Sequence, residues 1–530
     1  MAVTETPTET VIAAAGPDPL LPSRPQPTGL AAVLGSGDHK VIGRLYLVTS
    51  FLFGAAVLAL GGLFAVESVK PRTVDVFTSD TVFQFFTLYR VGTVFLFALP
   101  LVIGLAMVVV PLQVGARTVA FPRAAAASYW IWLMGSVLVI ASYAVNGGPG
   151  GGRAKGVDLW IAAMGVLVIG LLVAAISLAT TVLALRAPGL TLQRTPFYAW
   201  SVGVAAILWL LTLPALLALL IAMYVDHRHG GTSVGANLGL YPRVLWVLRN
   251  PEIYVVAIPV LGFVADVFAT TAKTRFALRG PAQATIGAFG VLGFGAFLAS
   301  SNPDGVRTPL AIGMALLALV AVLGLAGAAG EVFRRGSFSF NGGFLWAACA
   351  LLALLLGVGA GALGSIPGLH TSGTIYDLGV SHAVVLAAAI ATLGGVHWWA
   401  TKVVGRPVKE APALLAPLLL LLGTVLVAVP DLVSGLVGKT RQLAPDYTGG
   451  IGGTGVVAAI GVVIVGFGFL AAIAALLPAL KSSDDEAPTD PWNGQTLEWL
   501  TPSPPPLGNF DLALPLVTTP EPLVDLREEQ

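Results

Sequence analysis

The sequence predicts an all-α membrane protein, a bundle of twelve transmembrane helices. Three observations carry that reading. Only 10% of the 530 residues are charged, against about 25% in a soluble globular chain. The apolar residues gather into long runs, such as Val204 to Tyr224, which holds no charge. Twelve such runs follow one another, each near the roughly 20 residues that carry a helix across a bilayer core. In lipid every backbone N–H and C=O must pair within its own segment, so helices are the expected form.

Taken in order, the spans fall near residues 43–66, 87–112, 127–145, 158–185, 198–224, 251–271, 281–299, 309–330, 343–365, 378–401, 411–434 and 453–479. Basic residues mark nearly every break between them. Lys70 and Arg72 follow the first span, Arg117 and Arg123 the second, Arg153 and Lys155 the third, and Arg186 and Arg194 the fourth. Arg228, Arg243 and Arg249 follow the fifth, Lys273, Arg275 and Arg279 the sixth, Arg307 the seventh, and Arg334 and Arg335 the eighth. Lys402, Arg406 and Lys409 close the tenth, Lys439 and Arg441 the eleventh, and Lys481 the last. The chain thus divides into a polar N-terminal tail (1–40), a membrane domain (41–480) and a Pro-rich C-terminal tail (481–530).

An even number of spans puts both tails on one side. Lys and Arg are more numerous in the short loops of that side, so both termini are expected in the cytoplasm. Glycines within the spans, including Gly61, Gly62, Gly290, Gly293, Gly295, Gly357, Gly359 and Gly361, suit close helix approach. The single cysteine, Cys349, has no partner for an intramolecular disulfide and reads as a small hydrophobe. A net charge of +1 gives no reason to expect nucleic acid as a partner. Membrane lipid is the expected surroundings.

Several stretches resemble subunit I of the cytochrome c oxidases, of the haem-copper oxidase family. They are Asp38-His39-Lys40 with Ile42-Gly43-Arg44-Leu45-Tyr46, then Pro111-Leu112-Gln113-Val114-Gly115-Ala116-Arg117 with Phe121-Pro122-Arg123. Arg186-Ala187-Pro188-Gly189-Leu190-Thr191-Leu192 follows. Asn250-Pro251-Glu252-Ile253-Tyr254 is similar to the family's His-Pro-Glu-Val-Tyr motif, and Thr496-Leu497-Glu498-Trp499, Ser503-Pro504-Pro505-Pro506 and Asn509-Phe510 to its C-terminal signature. The matches run in order from Asp38 to Phe510. The resemblance implies a bundle of the subunit I type in a respiratory plasma membrane of bacterial type. It also implies a low-spin haem between two histidines, a high-spin haem on one and a copper on three. Imidazole suits those metals because it is neutral at working pH and binds iron and copper well.

The chain has only six histidines, His39, His227, His229, His370, His382 and His397. Aligned from the motifs, the first low-spin haem ligand falls on Tyr89, with Arg90 beside it. The copper ligands fall on Asn250, Ala299 and Ser300, and the high-spin haem ligand on Val380. Only His382 keeps a ligand position, that of the second low-spin haem ligand. Five of six ligands are therefore replaced. The expectation is no copper, no catalytic residue, and haem only through His382 opposite Tyr89. The lysine of one proton route aligns near Leu325 and an asparagine of another with Ala125, so methyl groups stand where polar groups are needed. The Arg-Arg pair for haem propionates is reduced to Arg441 followed by Gln442. His227 and His229, at i and i+2, are a weak metal pair.

Charged groups inside spans cost about 2.5–3.5 kcal/mol each on insertion scales. Arg90, Glu252, Asp266, Asp377 and His382 therefore need partners or water, and Tyr254 beside Glu252 is one candidate partner. One expectation is that Arg90 fills the vacated haem volume and pairs with Asp377. Three functions compete: a non-catalytic relative that associates with oxidase subunits II or III, an active oxidase reducing O2 with proton translocation, and a repurposed single-haem, ligand-binding or proton-conducting membrane protein.

Overall fold

The computed structural model describes residues 29–70, 77–78, 81–149, 151–231, 251–299, 307–337, 339–440, 453–480, 488–510 and 513–529. Side chains are not described at 30–31, 251–252, 294–299, 307–308 and 480. Twelve long helices correspond one to one with the twelve apolar spans. They are α1 (His39–Val69), α2 (Val82–Gln113), α3 (Pro122–Ala144), α4 (Ala154–Ala184), α5 (Phe197–His229) and α6 (Pro251–Thr271). The second half comprises α7 (Arg279–Ala299), α8 (Arg307–Arg335), α9 (Gly342–Gly364), α10 (Tyr376–Val404), α11 (Glu410–Leu436) and α12 (Thr454–Leu480). Among the described residues, eleven are long and apolar enough to cross a membrane. The other is α7, whose side chains are described only to Gly293.

Local chemistry sets several helix ends. The Asp38 carboxylate accepts the Lys40 N–H and opens α1, and the Asn341 side chain does the same for the Phe344 N–H of α9. Gly230 and Gly405 close α5 and α10 in the left-handed region, at φ 64° and 74°. Inside α2, residues Gly92–Ala98 form a π-helical stretch directly after Tyr89 and Arg90.

Three helices form the interior. The apolar windows of α2 and α6 are 94% buried and that of α10 is 89% buried, whereas α1 keeps only 17% of its window from the surroundings. Small residues let backbones meet: a Cβ on Gly43 of α1 would lie 2.5 Å from the Gly104 carbonyl oxygen of α2. The span glycines are not uniform in this role. Gly357 lies against Val384, but nothing within 4 Å faces Gly359. Cys349 is buried and free, as its apolar run implied.

The C-terminal segment is not a loose appendage. It lies across the end of the bundle at which α1 begins. Asn509, fully buried, accepts hydrogen bonds from His39 (3.0 Å) and Lys40 (3.1 Å) and donates to the Ala116 carbonyl (2.7 Å). His39, assigned to the tail from the sequence, is instead the first residue of α1 and wholly buried. A histidine next to a charged pair reads as solvated until the covering segment is seen. The Pro188–Gly189 turn also receives the tail, through the Val517 N–H to the Pro188 carbonyl.

Candidate functional site

At the end of the bundle opposite the start of α1, the two inner helices α2 and α10 and their neighbour α11 bring one polar group each to a single point. Tyr89 lies two turns into α2, His382 two turns into α10, and Asp431 near the end of α11. The Tyr89 hydroxyl is 2.6 Å from His382 Nε2. Asp431 Oδ2 lies 3.1 Å from His382 Nδ1, an ion-pair distance without the alignment of a hydrogen bond. With the ring proton on Nδ1, the hydroxyl donates to Nε2 and the carboxylate faces the N–H. The rings of Tyr89 and His382 meet edge to face, 6.0 Å apart. Gly61 of α1 makes room, since a Cβ there would lie 3.0 Å from the Tyr89 ring.

A cavity of about 50 Å³ adjoins this triad. Ser68, Lys439 and Thr454 supply further polar walls, while Phe64, Phe86 and Val427 supply apolar ones. A buried water needs roughly 10–15 Å³, so the space suits a few waters. Pockets for organic ligands run to about 300–1,000 Å³. Tyr89 lines the cavity and Arg90, the next residue along the helix, does not, although its charge acts on Tyr89. The reason is helical phase: adjacent residues point about 100° apart, and Tyr89 takes the inward position.

A second cluster joins α6, α9 and α10. Tyr254 and Val380 are both buried. A Cβ built on Gly361 would overlap the Tyr254 hydroxyl and lie 3.5 Å from Val380 Cγ1. Three residues from three helices thus fill one another's space. Asn250 and Ser300 lie outside the described residues, as do the side chains of Ala299 and Glu252 and the Arg441–Gln442 pair.

The profile of the family Cytochrome C and Quinol oxidase polypeptide I matches residues 41–470. The chain is 30% identical to a Nocardia farcinica protein described as a probable cytochrome c oxidase subunit 1-beta, over 95% of this chain and 90% of that one. It is 29% identical to cytochrome c oxidase subunit 1 of Corynebacterium efficiens, over 95% and 92%. The chain belongs to the haem-copper oxidase subunit I family. A cryo-EM structure of a haem-copper terminal oxidase dimer shares the fold, with a TM-score of 0.66 over 84% of this chain and 85% of that one, at 16% identity. Tyr89 and His382, which the motif resemblance aligns with the two low-spin haem positions, are in direct contact, and Val380, which it aligns with the high-spin position, lies beside Gly361.

Asp266, read from the sequence as a charge inside the membrane, sits near the other end of α6. It accepts the Phe197 and Tyr198 N–H groups at the start of α5, at 3.0 and 2.9 Å, and the Gln113 amide at 3.1 Å. Helix starts carry unpaired N–H groups, and a carboxylate there meets them directly. His227 pairs with Asp158 at 2.8 Å. Among the described residues no cluster of three or more His, Cys, Asp or Glu is arranged for a metal. His397 hydrogen-bonds the Leu393 and Ala472 carbonyls and stacks on Trp346. Leu325 and Ala125, which the sequence resemblance aligns with proton-route positions, are fully buried. Sequence reasoning missed Asp431, although an acid within an apolar span is itself a signal. It also missed Glu498, which looked like part of a tail.

Proposed function

We propose that this chain is a non-catalytic subunit I relative that keeps the twelve-helix fold, holds neither haem nor copper, and associates with respiratory-chain subunits in the membrane. The observation that carries this reading is the 2.6 Å contact between the Tyr89 hydroxyl and His382 Nε2. A first-row metal stands about 2 Å from an imidazole nitrogen, so two axial donors flank it roughly 4 Å apart. These two donors are already each other's partners, and the adjoining space of about 50 Å³ does not fit a macrocycle. The donor set therefore does not suit the low-spin haem. At the high-spin position Val380 offers a methyl group, packed beside Tyr254 and Gly361. Asn250, Ala299 and Ser300 offer copper an amide, a methyl and a hydroxyl in place of three imidazoles.

The surviving motifs contain no metal ligands. Those on the C-terminal segment hold that segment to the bundle, which supports a role in architecture and assembly. Placement of both termini in the cytoplasm follows from the basic residues on that side. The test is an optical spectrum and a metal assay of the protein purified in lipid nanodiscs from a haem-replete host. The expected result is no Soret band and no stoichiometric copper. Two haems and one copper per chain overturn the reading. Co-purification with an oxidase subunit II or III is expected, and purification with neither removes the assembly role.

A further inference from the structure

At the end of the bundle at which α1 begins, one amide holds two carboxylates. Gln113 of α2 is fully buried. Its Oε1 accepts the Ala199 N–H at 3.0 Å, which fixes which way the amide faces. Its two N–H bonds then go to Asp266 Oδ2 and Glu498 Oε1, each at 3.1 Å. Asp266 has two further backbone donors, Phe197 and Tyr198. Glu498 is 1% exposed. Its Oε1 also takes the Trp399 indole N–H at 3.3 Å, while its Oε2 has no aligned hydrogen-bond partner. Two like charges around one amide are disfavoured, and a proton on Glu498 removes one of them; with the N–H donors of Gln113 and Trp399 both on Oε1, Oε2 is the oxygen free to carry it.

We propose that Asp266 and Glu498 bind one proton between them, carried on Glu498 Oε2, and that this proton fastens the C-terminal segment to the bundle. Asp266, with three N–H donors, is the anion of the pair. Glu498 rides on the segment itself, between Leu497 and Trp499. The other titratable groups facing the cluster are few. Tyr198 comes from α5, Arg279 from the start of α7 and Lys402 from α10, while Glu521 and Asp490 belong to the segment. Arg279 is held by Glu521 at 3.3 Å and by the Thr195 carbonyl at 2.6 Å. Lys402 is held by the Thr501 and Trp499 carbonyls at 2.5 and 3.4 Å. Neither cation hydrogen-bonds Glu498 or Asp266, although the Arg279 charge acts on Asp266 and the Glu498 charge on Lys402. Burial, helped by Asp266, pushes Glu498 up from 4.5 to about 7, against the pull of Thr496 and Gln113.

The sign follows from linkage. A carboxyl raised in the docked state favours docking fully below 4.5, and loses that contribution as pH rises to about 7. The undocking equilibrium grows tenfold per pH unit across that window and is flat above it, a total on the order of 300-fold.

The test is hydrogen–deuterium exchange of the full chain in lipid nanodiscs from pH 5 to 8, corrected for intrinsic exchange and read on peptides spanning 495–510. Infrared spectroscopy of the protonated carboxyl band accompanies it. The expected result is undocking that rises with pH up to 7 and then levels off. In Glu498→Gln the response is flat, the segment is as closed as wild type at pH 5, and the carboxyl band is missing. In Asp266→Asn the plateau is reached at lower pH. A wild-type response independent of pH, or a Glu498→Gln response with the wild-type slope, overturns the proposal. Metal content does not enter this test, so it stands apart from the function proposed above.

Discussion

Gly361→Ala is the sharpest probe of whether the family's metal volume is packed shut. The new methyl group would overlap the Tyr254 hydroxyl, with Tyr254 Cζ and Val380 Cγ1 both at 3.5 Å. The ring cannot swing away freely, since Tyr254 is 2% exposed and its centroid lies 6.3 Å from that of Phe289. Overpacking of this kind costs about 1–3 kcal/mol, offset by about 0.5–1 kcal/mol from replacing glycine in a helix. Removing the hydroxyl removes the overlap. In Tyr254→Phe/Gly361→Ala the nearest remaining atoms stand at 3.5 Å, an ordinary van der Waals distance. The two substitutions should therefore couple by about 1–3 kcal/mol, the double variant being more stable than the sum of the singles. Unfolding in mixed micelles of rising SDS fraction, followed by tryptophan fluorescence, measures all four corners of the cycle. A coupling below about 0.5 kcal/mol, the usual limit of additivity, would refute the packing argument and mean that the volume is open.

Other substitutions test the remaining contacts. Tyr89→Phe strands His382 Nε2 without its 2.6 Å partner and should cost about 1–3 kcal/mol in the same assay; a smaller loss would mean that cavity water replaces the hydroxyl. Gly43→Ala sets a methyl 2.5 Å from a backbone oxygen that no rotamer can move and should lower the melting temperature in detergent, whereas Gly313→Ala, inside α8 with nothing within 4 Å, should keep it or raise it slightly. Asn509→Ala removes the common acceptor of His39 and Lys40 and should cost about 2–4 kcal/mol, read as faster proteolysis after the last span than within the loops.

The helices were legible because the bilayer leaves little choice: an apolar run of the right length has one way to satisfy its backbone. Their ends were legible to within a few residues for the same reason, through the basic residues of the loops. The motifs also propose substituted ligand positions, Val380 and Tyr89 among them, by alignment. What a replaced ligand does next was not visible. Arg90, large and charged, is the candidate a local reading offers for the space, and only the structure shows that Tyr89 beside it lines the cavity next to His382. Asp431 lies on a different helix, 49 positions beyond His382 in the sequence, and no local pattern links them. The same holds for Gln113, Asp266 and Glu498. Each sits inside or beside a recognisable motif or span, and only folding shows that two carboxylates share one amide.

A bundle that evolved around cofactors faces a packing problem when their ligands go. A void costs about 24 cal/mol per Å³, so leaving even a small organic-ligand volume of roughly 300 Å³ empty would cost about 7 kcal/mol, comparable to the whole stability of many domains. The space beside His382 is about 50 Å³, or about 1 kcal/mol on the same scale. On the proposed reading, side chains take up the difference. Tyr89 reaches across to His382, and Tyr254 reaches to Gly361 beside Val380. Each contact joins helices that a cofactor would otherwise bridge: α2 to α10 and α11 in one case, α6 to α9 and α10 in the other. On the function proposed above, replacing the metal ligands and keeping the fold are one event: the residues proposed to stand in place of the ligands are the ones that close the space, and a single histidine placed at Val380 would add volume to a packed core without opening room for a haem.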